Sequence, residues 1–202
     1  MKNSLRDTLL VIGLGNPGRE YEKTRHNAGF LVLNELAERF SLKFKKPFFH
    51  PWRCALTDIQ TEGGTCRLVL VQPLTYMNAS GTVLPDLLCK FSVSPEKLVI
   101  ICDTLDLSPG IIRIKGKGSS GGQRGLASIL SMLGTERIRR IVVGIGRPED
   151  NKEVVDWVLT VPGDEEVHDF MLGVRKAADA LLDMTRLPLE RVMNNFNESA
   201  KK

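Results

Sequence analysis

Three histidines occur in the chain, and only His26 stands among other polar side chains that could build a reactive centre. It falls between Arg25 and Asn27, in a loop region after the apolar run Thr8-Leu9-Leu10-Val11-Ile12. An imidazole titrates near neutral pH, so a histidine held over a cleft can take a proton from water and later return it. Such a base gains from a carboxylate that fixes its tautomer and stabilises the imidazolium. Asp103 is the leading candidate, because it follows Val99-Ile100-Ile101-Cys102 and so ends a buried strand, where α/β folds assemble their sites. A turn or helix-cap role competes for it, with Asp106 close by. Asn16 and Asn78 offer amide groups able to hold a water or a carbonyl without adding charge. Each also keeps turn-forming company, Asn16 beside Pro17 and Asn78 beside Ala79-Ser80-Gly81. His50 and His168 have no comparable neighbours.

These residues need a scaffold. The run at 8–12 is short, apolar and ended by glycines, which predicts a buried first strand. Apolar residues recur at helical spacing over 28–40, with Glu35, Glu38 and Arg39 on the solvent face. Residues 53–60 and 66–72 predict a hairpin around Gly63 and Gly64; 97–102, 111–114 and 139–145 add three strands. Helices are expected at 126–133, around 154–159, over 165–184, and after Pro188 in a short piece holding Met193, Asn194 and Asn195. Alternating strands and helices imply an α/β fold: a single-domain three-layer sandwich whose mixed, mostly parallel central sheet is flanked by helices. The domain spans 1–202, with 195–202 expected as a flexible tail.

Gly13-Leu14-Gly15-Asn16-Pro17-Gly18 fits the G-x-G-x-x-G pattern of dinucleotide sites, and Glu35 lies about where a ribose-binding acid belongs. That motif requires a helix to open at the third glycine so that its N–H groups meet a pyrophosphate. Here the polar run 19–25 delays helical periodicity to about Ala28, which argues against such a site. With 202 residues, 42% hydrophobic and 26% charged, the chain suits one globular domain, and its net charge of +4 mildly favours a polyanionic partner. Cys54, Cys66, Cys89 and Cys102 form no C-x-x-C pair, the amino terminus lacks a signal-peptide pattern, and no apolar stretch reaches the ~18–20 residues of a bilayer span. A cytoplasmic protein with reduced thiols, without membrane insertion, is expected.

Four segments carry a resemblance to a known family. GLGNPGREYEKTRHNAGF at 13–30, QPLTYMNASG at 72–81, DTLDLSPGIIRIKGKGSSGGQRGLASI at 103–129 and GIGRP at 144–148 resemble, in order, the blocks of bacterial-type peptidyl-tRNA hydrolases. The resemblance implies hydrolysis of the ester between a peptide and the 3′-terminal ribose of tRNA, with water as co-substrate, no cofactor and no metal. It puts the catalytic pair on His26 and Asp103 and the active-site lining on Asn16 and Asn78. Tyr21 and Met77 would form an apolar wall, though core packing explains them nearly as well. Lys115 matches a phosphate-binding position for the acceptor stem. Lys117 stands beside it in the glycine-rich run 116–122, which reads as a flexible lid. The family's second cation falls on Val142; Arg140 is a candidate substitute on the same strand face if the register is regular. A solvated basic surface is the competing account of these cations.

The chain departs from the family where Gly-Gly-His-Asn-Gly becomes Gly121-Gly122-Gln123-Arg124-Gly125. Gln123 still donates and accepts hydrogen bonds, whereas Arg124 adds a charge able to meet a phosphate or obstruct the channel. These two changes motivate the alternative of a weak or inactive RNA-binding module on the same scaffold. A monomer is expected.

Overall fold

The computed structural model describes residues 7–148 and 153–197. Its centre is a six-stranded sheet of β1 (Asp7–Gly13), β2 (Trp52–Thr61), β3 (Gly64–Pro73), β4 (Leu98–Thr104), β5 (Ile112–Lys115) and β6 (Arg139–Gly144), in the order β2-β3-β1-β4-β6-β5. β3, β1, β4 and β6 run parallel, while β2 and β5 are antiparallel edge strands. The sheet is therefore mixed and mostly parallel, as expected.

Strands covered on both faces need apolar residues at every position. β1 shows this: Leu9 and Val11 enter one core, Leu10 and Ile12 the other. The first core is closed by α1 (Ala28–Arg39), α5 (Asp164–Met184) and α6 (Leu189–Phe196). The second lies under a 3-10 helix, Met77–Val83, together with α2 (Leu84–Phe91) and α3 (Arg124–Leu133). A short helix, α4 (Val154–Val158), precedes α5 and packs on the 3-10 helix Arg25–Asn27. Two helical layers on one sheet make a single three-layer α/β domain.

α2 is absent from the sequence expectations, although Pro85 in its first turn and Leu84, Leu87, Leu88 and Phe91 at helical spacing were its signals. The expected tail needs correction as well. α6 runs to Phe196, and the Asn197 side chain accepts from Ile114 N at 2.7 Å and donates to Ile114 O at 3.0 Å. The chain is thus fastened to the β5 edge through 197, and 198–202 lie outside the described residues.

The first glycine of the G-x-G-x-x-G pattern serves packing. A Cβ on Gly13 would stand 2.4 Å from Gly29 O, and one on Gly29 would stand 2.3 Å from Leu14 N and 2.4 Å from Ile101 O. Both positions must lack a side chain for the start of α1 to abut the ends of β1 and β4. Gly18, at φ +124°, leads into a 3-10 turn, Arg19–Tyr21, and the α-helix begins only at Ala28. No α-helix therefore opens at the third glycine.

Candidate active site

That contact between α1 and the strand ends sets the position of His26. The residue lies in the 3-10 helix just before α1, at the carboxyl end of β1, and Asp103 lies near the end of the neighbouring β4. His26 Nδ1 is 2.9 Å from Asp103 Oδ2. An ionised carboxylate only accepts, so Nδ1 carries the hydrogen and Nε2 is left as the basic nitrogen. Asp103 is 3% exposed, and its other oxygen accepts from Gln123 Nε2 at 3.0 Å.

A cleft of about 780 Å³ opens over this pair, and Asn16, His26, Met77, Asn78 and Asp103 all line it. Asn16 is held through both its backbone N–H and its carbonyl. Its N donates to Asn27 Oδ1 at 2.8 Å, and Asn27 Nδ2 donates to its carbonyl at 3.0 Å. Asn16 Oδ1 in turn accepts from Met77 N at 2.9 Å, which leaves Nδ2 as the end able to meet a ligand. Asn78 is exposed on the cleft wall, and Met77 is buried beneath it. Tyr21 is half-buried and is not among the described residues lining the cleft; Tyr76, 65% exposed, lines it instead. Asn27 and Tyr76 were legible only as parts of the TRHNAG and LTYMN segments.

The cations divide into two kinds. Lys115, Lys117 and Arg124 are exposed on the cleft wall. Arg140 does share a sheet face with Val142, as a regular register requires, but it is only 1% exposed. Its guanidinium donates to Ser119 O at 2.8 Å, Gly118 O at 2.6 Å and Glu136 O at 3.0 Å. Burial lowers its pKa, opposed by the charge of Glu136. Arg140 still lines the cleft, and its donors hold the carbonyls of 118 and 119 in the glycine-rich run expected to act as a lid. Beneath it, burial and then the adjoining Asp103 charge push the Cys102 thiol far up, so it stays protonated.

A second buried cation holds the histidine segment from outside. Arg25 is 4% exposed, its guanidinium stacks 3.8 Å from the Trp157 ring centroid, and it pairs with Glu166. Nη1 donates to Thr160 Oγ1 at 2.5 Å, and the backbone N donates to Thr160 O at 3.1 Å. This cluster joins the His26 turn to the α4 end, whose Val154 and Val155 add exposed apolar surface to the cleft. Nothing local in the sequence around Arg25 signals partners some 135 residues away. His50 also has a carboxylate, Asp86 Oδ2 at 2.7 Å, but that oxygen is shared with Trp52 Nε1 at 2.6 Å and the group lies outside the cleft. Among the described residues no group of three His, Cys, Asp or Glu side chains gathers as a metal site, and no helix is long and apolar enough to cross a membrane.

A sequence model described as peptidyl-tRNA hydrolase matches residues 10–202. The chain belongs to the peptidyl-tRNA hydrolase family. The peptidyl-tRNA hydrolase of Geobacillus thermodenitrificans is 44% identical over 189 residues, covering 94% of this chain and 99% of that one. That of Aquifex aeolicus is 39% identical over 193 residues, covering 95% and 97%. The crystal structure of peptidyl-tRNA hydrolase from Acinetobacter baumannii superposes with a TM-score of 0.81 at 32% identity over 95% of each chain. Within the peptidyl-tRNA hydrolase frame, the altered residues 123 and 124 sit at the N-terminus of α3, on the wall of the same cleft.

Proposed function

We propose that the chain hydrolyses the ester joining a peptide, or any N-blocked aminoacyl group, to the 3′-terminal ribose of tRNA, with His26 as general base. The observation that carries this reading is the 2.9 Å contact between His26 Nδ1 and buried Asp103 at the floor of the cleft. Water beside Nε2 gives its proton to the ring as its oxygen bonds to the ester carbonyl carbon. The imidazolium so formed keeps its Nδ1–H on Asp103, whose charge stabilises it. Amide hydrogens of Asn16 Nδ2 and Asn78 are suited to meet the carbonyl oxygen as it gains charge. The acyl carbon then releases the ribose oxygen, which takes the proton from Nε2; peptide acid and tRNA leave.

Exposed Lys115, Lys117 and Arg124 are suited to the acceptor-stem phosphates, since phosphates position a nucleic acid without reading its sequence. Met77 and the exposed Tyr76 offer an apolar wall. The reading takes the protein to act in the cytoplasm as a monomer, recycling tRNA from interrupted translation. The non-catalytic alternative rested on Gln123 and Arg124, and Gln123 bonds Asp103. Incubating N-acetyl-aminoacyl-tRNA with the wild type and with His26→Ala tests the reading. Rapid release by the wild type alone is expected; equal rates would sink it.

A further inference from the structure

Gln123 stands where substrate contact was expected, yet both ends of its amide are engaged inside the protein. Oε1 accepts from Leu126 N at 2.6 Å and so caps α3, while Nε2 donates to Asp103 Oδ1 at 3.0 Å and lies 3.3 Å from Met77 Sδ. The side chain is 9% exposed. Because an N–H must meet an acceptor, the Leu126 contact dictates which end of the amide is oxygen, and the donor end must then face the carboxylate.

Resting on the hydrolase reading above, we propose that Gln123 is a positioning residue that locks the Asp103 carboxylate in the orientation presenting Oδ2 to His26. The terminal torsion of an aspartate is broad, so one hydrogen bond leaves its plane poorly defined. Donors on both oxygens, His26 Nδ1 at 2.9 Å and Gln123 Nε2 at 3.0 Å, define it. The direction of the second donor is inherited from the first turn of α3, a rigid element, which suits precise placement. A neutral amide does this without titrating.

Replacement by glutamate separates this role from capping. The introduced carboxylate keeps an acceptor for Leu126 N, but it has a hydrogen for Asp103 only while protonated. Two carboxylates in contact push one pKa up. Facing the site are His26 from the segment before α1, Lys115 and Lys117 from the end of β5 and the loop after it, Arg124 on α3 itself and buried Arg140 on β6. Asp106 and Tyr76 also border it, and the buried Cys102 thiol stays neutral. The lysines and Arg124 are solvent-exposed and screened, and Arg140 is engaged by carbonyls, so direct contact with Asp103 dominates.

The test compares wild type, Gln123→Glu and Gln123→Met in hydrolysis of N-acetyl-aminoacyl-tRNA over roughly pH 5 to 9. For Gln123→Glu, kcat should fall about 10- to 100-fold near neutrality, the scale of losing a group that orients a histidine's partner. KM should stay within about twofold, and the loss should deepen as pH rises and the introduced carboxyl ionises. Gln123→Met should lose kcat at every pH and also melt lower, having lost the cap. The downfield Nδ1–H proton resonance of His26, expected to be sharp in the wild type, should broaden in both variants; this readout needs no turnover. A Gln123→Glu protein with wild-type kcat and pH profile, with a raised KM alone, or with an unchanged His26 resonance would overturn the proposal. A wild type without hydrolysis would overturn the hydrolase reading, and the resonance would still decide the role of Gln123.

Discussion

Replacing Asp103 by asparagine should silence the enzyme without unfolding it, for a reason the hydrogen bonds make explicit. Both protein groups that face the carboxylate are donors: His26 Nδ1 at 2.9 Å and Gln123 Nε2 at 3.0 Å. Asparagine offers one acceptor and one donor in nearly the same shape. Gln123 cannot turn over, because its oxygen is held by Leu126 N at 2.6 Å. The new oxygen therefore goes to Gln123 and the new NH2 points at His26. Nδ1 must then accept, the ring hydrogen moves to Nε2, and the nitrogen facing the substrate is no longer a base. A wrong tautomer of this kind lowers turnover by about 10³ to 10⁴, or about 4 to 5.5 kcal/mol of barrier. The assay is single-turnover hydrolysis of N-acetyl-aminoacyl-tRNA, with urea unfolding as control. A kcat within about tenfold of the wild type would refute the tautomer argument.

The Lys115→Ala, Lys117→Ala double variant should raise KM for intact tRNA substrates while leaving kcat unchanged. Its log–log salt dependence should flatten by up to about 1.5, the slope of two lost phosphate contacts; an unchanged slope excludes these lysines from the RNA path. Arg25→Met removes the donor for Thr160 and the ion pair with Glu166. It should destabilise the protein by about 2–3 kcal/mol, read from the urea midpoint. Of the four thiols, only Cys89 is exposed, and burial raises the pKa of Cys54, Cys66 and Cys102. A thiolate-selective reagent near neutral pH should label Cys89 alone in the native protein and all four thiols after denaturation. Native labelling of Cys102 would contradict its placement under the site.

Much of the fold was legible because its signals are local. A strand buried on both faces reads as an unbroken apolar run, as 8–12 and 98–102 do, and the glycines at 63 and 64 mark a hairpin without reference to anything else. α2 was missed because the preceding 3-10 helix Met77–Val83 blurs its period and its start. Residues 195–197 were assigned to the tail because Asn197 is anchored by a backbone it meets 83 residues away in sequence.

The candidate site residues divide along the same line. His26, Asp103, Asn16 and Asn78 could be named from residue type, from their places at strand ends and in loops, and from the family's motif spacing. Sequence alone also recorded the exchange at 123 and 124. It could not say which way those side chains turn. That Arg140 reaches inward to the carbonyls of 118, 119 and 136, that Tyr76 and not Tyr21 borders the cleft, and that Arg25 stacks on Trp157 are outcomes of register and packing. So is the direction of the Gln123 amide, which is aimed by the first turn of a helix packed against the sheet. A residue type limits which bonds a side chain can make; which of them form depends on the groups that distant parts of the chain bring within 3 Å or so.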